Sequence, residues 1–418
     1  MDESEYRSGL DNFLAGRYPE DIIPESFGKA GIITNHTGLT SSLRQNVDLL
    51  MEDDRFSPVK IFSPEHGFRG SANAGEKVSG GRDDNTGLPV ISLYGDERKP
   101  APKDLEDLDT LIYDVQDVGL RYYTYISTMF NCLDAALKRE MKFIVFDRFN
   151  PLGRNLSGNV LKKEFESFVG PAEIPQCYGL TPGELAEWWI KYSERKNIEN
   201  KNGMSDLLKV VPLSGWQGER AAEMNIPWVP PSPNLPTPRT VNLYRATAVF
   251  EGTDISEGRG TTLPFQLLGS PRLQPDFILK KMRKVKRAGI DGLKFRAAHF
   301  TPRSGKHSGE LCSGLQLFYR EEFCRLDPLA AGLLVMAVFR ACPGAEVKYI
   351  KNSNDQFFID LLLGTDRLRK DIISGLVSCI KKDEIDSISE ILRDLQSEWR
   401  KQRQEFSQQR KKCVRYSQ

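Results

Sequence analysis

Short apolar runs alternate with helix-length segments over the first 150 residues. The runs have the length and composition of buried strands, and the segments between them are long enough for crossover helices. This alternation is typical of a parallel sheet whose faces are covered by helices. The sequence therefore predicts an α/β domain with strands at 31–34, 59–63, 90–93, 110–115 and 142–147.

Two helices are indicated by their spacing or by their first residues. In 125–139, apolar residues recur three and four positions apart, which predicts a crossover helix before the last strand. Farther along, Thr181 is suited to cap a helix, Pro182 to occupy its first position and Glu184 to complete a capping box. This second pattern predicts a helix that begins at Pro182.

Six prolines fall between residues 226 and 238. Because proline stops helices and central strands, this segment is interpreted as a rigid connector. Beyond it, strand-like pieces mix with helices, and an amphipathic stretch at 383–399 predicts a surface helix docked on the domain. We expect a first domain over 1–235 and a smaller α/β domain over 236–418, with strands at 246–250, 292–296 and 315–318 and a helix at 328–340.

Composition narrows the classes of partner. Lys and Arg number 58 against 57 Asp and Glu, so the net charge of +1 provides no overall field for nucleic acid or an anionic membrane. The longest apolar runs, such as 329–338, are too short to span a bilayer.

Seven scattered cysteines without a Cys-x-x-Cys pair fit a reducing compartment better than a disulfide scaffold or a zinc ribbon. The first residues are acidic and lack the order of an export signal. The sequence therefore favours a cytoplasmic protein. The alternative is an exported protein whose leader is absent from this sequence.

Polar residues follow four of the predicted strands at their carboxyl ends. In an open parallel sheet these ends meet at one rim, where ligands bind. Any turn-forming residue could close the strands, so a repeated supply of acids, amides and imidazoles favours a functional site. We expect the rim to bind substrate through Asn35, His36, His66, Gln116 and Asn150.

Glu65 is the leading catalytic candidate on this rim. It directly follows an apolar strand, and Pro64 and Gly67 on either side allow the chain to turn sharply. Burial disfavours the charged form of a glutamate, so its proton stays available to the oxygen of a leaving group. That is the task of a general acid. The alternative is a glutamate that caps the next helix or pairs with Arg69.

Further candidates follow the fourth strand. Either Asp114 or Asp117 could supply the second carboxylate that glycoside hydrolysis usually needs, and the sequence does not choose between them. Arg121, Tyr123 and Tyr125 come next and would present donors and aromatic faces to a sugar ring. The alternative for the tyrosines is a place in the core.

The second domain contains one segment with the composition of a binding loop. Between residues 251 and 262, three carboxylates and one arginine occur with three glycines. Arg259 could bind a carboxylate of the ligand through two hydrogen bonds, with Glu251 and Glu257 beside it. The alternative is a loop that is held by its own ion pairs.

Several familiar motifs are missing from the sequence. It has no phosphate-binding P-loop, no Gly-x-Gly-x-x-Gly after a strand, no His-Glu-x-x-His and no Gly-x-Ser-x-Gly elbow. These gaps disfavour serine hydrolases and nucleotide-binding proteins, including an oxidoreductase that uses a dinucleotide. His299 and His307 are too isolated to indicate a metal site.

Taken in order, these blocks resemble the exo-β-N-acetylmuramidase family of peptidoglycan hexosaminidases. The resemblance implies a Rossmann-like first domain of three layers with a mostly parallel sheet, a smaller second α/β domain, and a cleft between them for terminal N-acetylmuramic acid of muropeptide-derived glycans. It implies no cofactor, and it implies that Glu65 is the catalytic residue. The similar blocks cover most of the chain between residues 28 and 400, at 31–38, 62–70, 113–125, 147–153, 179–185 and 251–262.

Two expectations about chemistry stay open. By charge, the lactyl carboxylate of N-acetylmuramic acid would suit Arg259 or Arg121. The oxocarbenium-like centre would be supported by Asp114, by Asp117 or by the acetamido group of the substrate itself. A hypothesis from another class is a non-catalytic protein that binds amino sugars or muropeptides and turns nothing over.

Overall fold

A seven-stranded sheet forms the centre of the first domain, and two further short strands pair with each other in antiparallel orientation. The computed structural model describes residues 5–18, 27–69, 80–95, 97–196, 204–320 and 325–416. The strands of the first domain are β1 (Lys29–Thr34), β2 (Ser57–Ser63), β3 (Gly81–Arg82), β4 (Pro89–Ser92), β5 (Thr110–Asp114), β6 (Lys142–Phe146), β7 (Ser157–Val160), β8 (Pro175–Cys177) and β9 (Leu208–Val211).

The order of strands in the sheet is β3, β4, β2, β1, β5, β6, β9. Every neighbouring pair is parallel except β3 and β4. Without β3, this is the strand order of the Rossmann fold. The chain winds outwards from β1 to β4 and then returns to β5 on the other side of β1, so that Thr34 pairs with Asp114. A crevice therefore opens beyond the carboxyl ends of β1 and β5, where the winding reverses.

Helices cover both faces of this sheet. Successive residues of β1 alternate between the faces: Ile32 packs in the same core cluster as Phe13, and Ile33 in the cluster that contains Met129 and Trp188. This gives the three layers that were expected. The described helices of the first domain are α1 (Gly9–Leu14), α2 (Asn46–Met51), α3 (Pro102–Leu105), α4 (Tyr125–Leu137) and α5 (Pro182–Arg195).

The five predicted strands and both predicted helices of the first domain are confirmed, with bounds that differ by at most two residues. At the start of α5 the capping box forms as predicted: the Thr181 side chain accepts from the Glu184 N–H, and the Glu184 carboxylate accepts from the Thr181 N–H. Strands β3, β7, β8 and β9 have no counterpart among the predicted strands.

The second domain packs helices around a small antiparallel sheet of three strands, in which the last strand along the chain lies in the middle. Its central helix is buried on all sides, which explains its nearly continuous apolar sequence. The described strands and α-helices are α6 (Pro238–Thr247), β10 (Leu267–Ser270), α7 (Pro275–Val285), β11 (Leu293–Phe300), β12 (Cys312–Tyr319), α8 (Pro328–Ala341), the central helix, α9 (Phe358–Leu363), α10 (Ser374–Lys382) and α11 (Ile385–Arg410).

The predicted strand at 246–250 is wrong, whereas β11, β12, α8 and α11 confirm the other predictions for this domain. Helix α6 extends through Thr247, and residues 248–252 continue it as a 3-10 helix. A short apolar run fits a buried helical turn as well as a buried strand. Thr237 caps α6 by accepting a hydrogen bond from the Thr240 N–H, so the helix starts well before this run and carries into it.

Helix α11 and the connector both join the two domains. Ile388 and Trp399 of α11 pack into the core of the second domain, and Phe406 of the same helix packs into the core of the first. That first core also includes Tyr244 and Leu362 from the second domain. Residues 226–236 contain neither helix nor strand, as expected of the connector. None of the helices in the described ranges combines the length and apolar character that crossing a bilayer requires.

Candidate active site

Glu65 lies just beyond the carboxyl end of β2, at the rim of the crevice. The backbone turns there through two residues in the left-handed region, His66 with φ of 74° and Gly67 with φ of 76°. Glu65 is half-buried, and its Oε2 accepts a hydrogen bond of 2.7 Å from Thr124 Oγ1. Because Thr124 directly precedes α4, the start of that helix fixes the direction of the carboxylate.

Arg69, the partner considered for Glu65 from the sequence, is committed to another loop. Its Nε and NH2 groups donate hydrogen bonds of 3.0 and 2.9 Å to the two carboxylate oxygens of Asp83. Such a two-pronged contact occupies the edge of the guanidinium that a second carboxylate would need.

Two tyrosines also lie beside Glu65. Burial raises the pKa of Tyr94 well above its usual value, and the Glu65 carboxylate, to which Tyr94 is hydrogen-bonded, raises it further. Tyr94 therefore stays protonated and can donate to Glu65. The Tyr125 hydroxyl lies 3.5 Å from the Glu65 carbonyl oxygen, and burial raises the pKa of Tyr125 as well.

The loop after β1 is tied to the connector. Asn35 Nδ2 donates to the Tyr125 hydroxyl at 2.8 Å, and that hydroxyl donates to the Pro231 carbonyl at 2.8 Å. His36 Nε2 lies 2.8 Å from the Pro230 carbonyl, so it carries the proton of that contact. Burial lowers the pKa of His36, which favours the neutral imidazole. Two carbonyls of the proline-rich connector therefore close over the end of β1.

Gln116 joins three loops of the rim. Its backbone N–H donates to Thr37 Oγ1 at 2.9 Å, and its Nε2 donates to the carbonyls of Asp117 and Phe149 at 2.8 and 2.9 Å. Gln116 also lines a cavity of about 430 Å³ together with Thr37 and Trp228. The side-chain amide of Gln116 is thus occupied by backbone carbonyls, and little of the residue's surface is exposed.

Asp114 forms a buried ion pair with Arg148. Its Oδ1 accepts a hydrogen bond of 2.6 Å from Arg148 Nε, and its Oδ2 accepts one of 2.8 Å from Asn46 Nδ2. Arg148 also donates to the Leu39 carbonyl at 2.8 Å. Both oxygens of Asp114 are committed to partners that brace the loops beyond the strands, and the carboxylate has no exposed surface.

Asp117 is enclosed in a different way. Its Oδ2 accepts hydrogen bonds from the Gly119 N–H at 2.7 Å and from the Tyr178 hydroxyl, whereas its buried Oδ1 has no hydrogen-bond partner among the described residues. Burial raises the pKa of Asp117 to about 6, against the opposing effect of those hydrogen bonds. The charge of Asp117 also contributes to the raised pKa of Tyr125, the tyrosine beside Glu65.

Arg121 is not brought to the crevice. It has no exposed surface, and its guanidinium donates to the carbonyls of Asn159, Ile174 and Leu362 at 2.8, 2.9 and 3.1 Å. Burial lowers the pKa of Arg121 to about 9. Because Leu362 belongs to the second domain, this arginine links the two domains through backbone oxygens.

Three further predicted residues are also enclosed. His66, Tyr123 and Asn150 expose 3%, 8% and 2% of their surface. The Tyr123 ring packs edge-on against the Tyr125 ring, with centroids 4.8 Å apart. Asn150 Nδ2 donates to the Leu180 carbonyl at 2.9 Å, so its amide shapes the turn after β6.

Glu251, Glu257 and Arg259 form one ion-pair network in the second domain. Arg259 NH2 lies 2.8 Å from Glu251 Oε2, and its Nε lies 3.1 Å from Glu257 Oε1. Lys306 Nζ binds the other oxygen of Glu257 at 2.8 Å, and the Tyr244 hydroxyl donates to Glu251 Oε1 at 3.0 Å. The loop is therefore held by its own ion pairs, which is the alternative that the sequence left open.

This network nevertheless reaches the Glu65 site. The positive charge of Arg259 acts on Tyr94, the tyrosine that is hydrogen-bonded to Glu65. The side chains of Glu251 and Arg259 remain 18% and 23% exposed. Tyr94 is thus within electrostatic reach of both the Glu65 carboxylate of the first domain and the Arg259 guanidinium of the second.

Two family models account for nearly the whole chain. The N-terminal model of the exo-β-N-acetylmuramidase NamZ matches residues 30–239, and the C-terminal model matches residues 242–416. The chain belongs to the exo-β-N-acetylmuramidase NamZ family. The family resemblance drawn from the sequence blocks is thereby confirmed.

A curated relative and two solved structures are similar over at least nine tenths of their length. Peptidoglycan β-N-acetylmuramidase NamZ from Bacillus subtilis (strain 168) is 37% identical over 414 residues, which are 98% of this chain and 91% of that protein. Two DUF1343 family proteins from Bacteroides fragilis NCTC 9343 match with TM-scores of 0.79 and 0.69 at 27% and 28% identity, and each match covers 99% of both chains. The similarity therefore extends from sequence to fold.

Several residues around Glu65 in this NamZ-family chain were missed from the sequence. Tyr94 and Thr124 were not among the predicted site residues, although Tyr94 follows a strand end and Thr124 lies at a helix start, both positions that face the crevice. The contacts of the Pro230 and Pro231 carbonyls could not be predicted, because every residue has a backbone oxygen and the sequence does not show which ones accept hydrogen bonds from side chains. The prolines were interpreted only as a rigid connector.

The raised pKa of Asp117 predicts a pH dependence of stability. Its value of about 6 in the folded protein lies above the ordinary 3.8, so the folded state binds this proton more tightly than the unfolded state does. The resulting stability is fully present below about pH 4 and is lost as the pH rises through about 6. We expect Asp117→Asn to remove on the order of 1–3 kcal/mol of this pH dependence in the free energy of unfolding.

The measurement is urea unfolding of both proteins over a series of pH values. Asp394→Asn, which neutralises an exposed aspartate of α11, serves as the control and should follow the wild-type curve. Parallel curves for the wild type and the Asp117 variant would contradict the prediction.

Proposed function

We propose that this protein is an exo-acting β-N-acetylmuramidase that releases terminal N-acetylmuramic acid from fragments of peptidoglycan. Membership of the NamZ family supports this proposal. The observation that carries it is the half-buried Glu65 carboxylate at the rim of the crevice, held at 2.7 Å by the Thr124 hydroxyl. A proton donor for glycoside hydrolysis has to be sheltered and aimed in this way.

In this proposal Glu65 acts first as the general acid. Its proton passes to the bridging oxygen of the glycosidic bond, and the bond from that oxygen to the sugar breaks as positive charge develops on the ring. Thr124 and Tyr94 donate hydrogen bonds to the carboxylate that remains, which orients it and stabilises its charge. The Glu65 carboxylate then accepts a proton from the incoming water and returns to its starting form.

The acetamido group of the substrate is the best candidate for the nucleophile, in place of a second carboxylate. Both oxygens of Asp114 are bound by Asn46 and Arg148, and Asp117 exposes only 3% of its surface. Neither aspartate presents an oxygen to a sugar in the cleft. The acetamido oxygen can attack the sugar carbon from the face opposite the leaving group, and water then opens the ring that forms. Two such displacements retain the anomeric configuration.

We propose supporting roles for most of the predicted binding residues. Asn35, His36 and Gln116 hold the loops and the connector in place through backbone and hydroxyl contacts. Glu251 and Arg259 keep partly exposed side chains and are the candidates for contact with the hydroxyl groups of the sugar.

We also propose a cytoplasmic location. The six described cysteines are all buried and carry reduced thiols, which is typical of a reducing compartment. Cell fractionation with detection of the protein in each fraction would test this location, and recovery outside the cytoplasm would refute it.

The decisive experiment is incubation of the purified protein with a panel of muramic acid and glucosamine glycosides, followed by proton NMR. We expect release of N-acetylmuramic acid from non-reducing ends only, with the β anomer formed first. An α anomer as first product would refute the acetamido mechanism but not the activity. Calorimetric binding of the glycosides without any product would instead support a non-catalytic sugar-binding protein.

A further inference from the structure

Arg98 is an exposed arginine on the loop that follows β4 and Tyr94. Its guanidinium carbon lies 4.6 Å from the centre of the Phe168 ring, a stacked arrangement that limits the freedom of the side chain. The Phe168 ring lies next to the Tyr94 ring, with centroids 6.4 Å apart. Because Tyr94 is hydrogen-bonded to Glu65, these three side chains form one surface that ends at the proposed catalytic carboxylate.

One face of α4 fixes this surface. Thr124 at the start of the helix binds the catalytic carboxylate, Ser127 Oγ donates to the Phe168 carbonyl at 2.7 Å, and Asn131 Nδ2 donates to the Arg98 carbonyl at 2.7 Å. Residues three and seven positions apart share one face of a helix. Seven residues of helix rise about 10 Å, a length that a sugar ring with a substituent can span.

The two cations that act on Tyr94 differ in their partners. Arg259 is paired with Glu251 and Glu257. Within the described ranges, Arg98 has no carboxylate at ion-pair distance, and its recorded side-chain contact is the Phe168 ring. A carboxylate of the substrate would be repelled by the two glutamates around Arg259, whereas no described carboxylate competes with it for the Arg98 guanidinium.

We propose that Arg98 binds the lactyl carboxylate of the substrate and thereby selects N-acetylmuramic acid over N-acetylglucosamine, an inference that rests on the proposed function. These two sugars differ by the lactyl ether, which carries the carboxylate. A guanidinium binds a carboxylate through two parallel hydrogen bonds, and Phe168 holds the plane of the guanidinium for that contact. Charge alone had assigned this role to Arg259 or Arg121, but Arg259 is already paired and Arg121 is buried.

The test removes the charge from the protein and from the substrate separately. Wild-type protein, Arg98→Gln and Lys99→Gln are assayed on an aryl N-acetylmuramide as the free acid and as its uncharged lactyl methyl ester. Lys99 is the exposed neighbour, so its variant loses the same charge one residue away. We expect the Arg98 variant to lower kcat/KM for the free acid by about 10- to 100-fold, the size of a lost charge-assisted contact.

The loss should arise mainly as a higher KM, because the lactyl group is remote from the bond that breaks. The ester should be hydrolysed equally well by the wild type and by Arg98→Gln, and the Lys99 variant should match the wild type on both substrates. Equal losses on acid and ester would overturn the inference, and so would an unchanged kcat/KM for the acid. A wild-type protein that cleaves neither substrate would contradict the proposed function instead.

Discussion

Replacing Glu65 with Gln is expected to lower kcat for a disaccharide substrate by roughly 10²- to 10⁴-fold. The amide keeps the shape of the carboxyl group and can still accept the hydrogen bond from Thr124. It has no acidic proton for the leaving oxygen, and it cannot take one back from water. Product release is the measurement, and Glu106→Gln, at an exposed position after α3, should keep wild-type activity.

Substrates with different leaving groups distinguish the loss of a proton donor from a general disturbance of the site. A strongly acidic phenol departs without help, so Glu65→Gln should lose much less activity on an activated aryl glycoside than on a disaccharide. The same loss on both substrates would argue for a displaced carboxylate, and undiminished hydrolysis of the disaccharide would exclude Glu65 as the acid. Circular dichroism spectra of the variant and the wild type should coincide.

Replacing Arg148 with Met is expected to lower the free energy of unfolding by about 3–5 kcal/mol. The substitution leaves the Asp114 carboxylate buried with 0% exposure and without its cation, whose Nε lies 2.6 Å away in the wild type. Since this pair braces the loops beyond the strands, activity should fall together with stability. Urea unfolding followed by tryptophan fluorescence provides the measurement.

Two further variants make this prediction specific. Arg44→Met breaks an exposed ion pair with Glu52, so it should cost less than about 1 kcal/mol. The double variant Arg148→Met with Asp114→Asn should recover much of the loss, because Asn removes the unpaired charge and keeps an acceptor for Asn46. If the single Arg148 variant unfolds like the Arg44 control, the buried pair does not stabilise the fold.

The middle of the central sheet could be predicted from the sequence because β1 and β5 are buried on both faces. Strands such as β5 read as continuous apolar runs, and their order along the chain alternates with helices. Two of the missed strands lack this mark: β7 contains Gly158 and Asn159, and β3 consists of two exposed residues. At 246–250 a strand was predicted where none exists. This short apolar run is helical because α6 continues into it.

The location of the site could be predicted from the sequence, but the roles of its individual residues could not. Strand ends and family blocks placed Glu65 on the rim, whereas the difference between Asp114 and Asp117 depends on partners that are distant along the chain. Arg148 and Asn46 occupy Asp114, and Tyr178 meets Asp117 across 61 positions. The spacing of residues in a sequence does not show which distant side chains will come into contact. Arg121 was misplaced for the same reason, because its carbonyl partners are brought to it only by the fold.

The double attachment between the domains has a mechanical consequence. Two bodies that are joined at two separate points keep only one easy rotation, about the line through those points. Here the connector and α11 are the joints, and the shared apolar packing around Tyr244 and Leu362 resists even that rotation. We therefore expect the second domain to keep nearly the same position relative to the rim that carries Glu65 when a glycan binds.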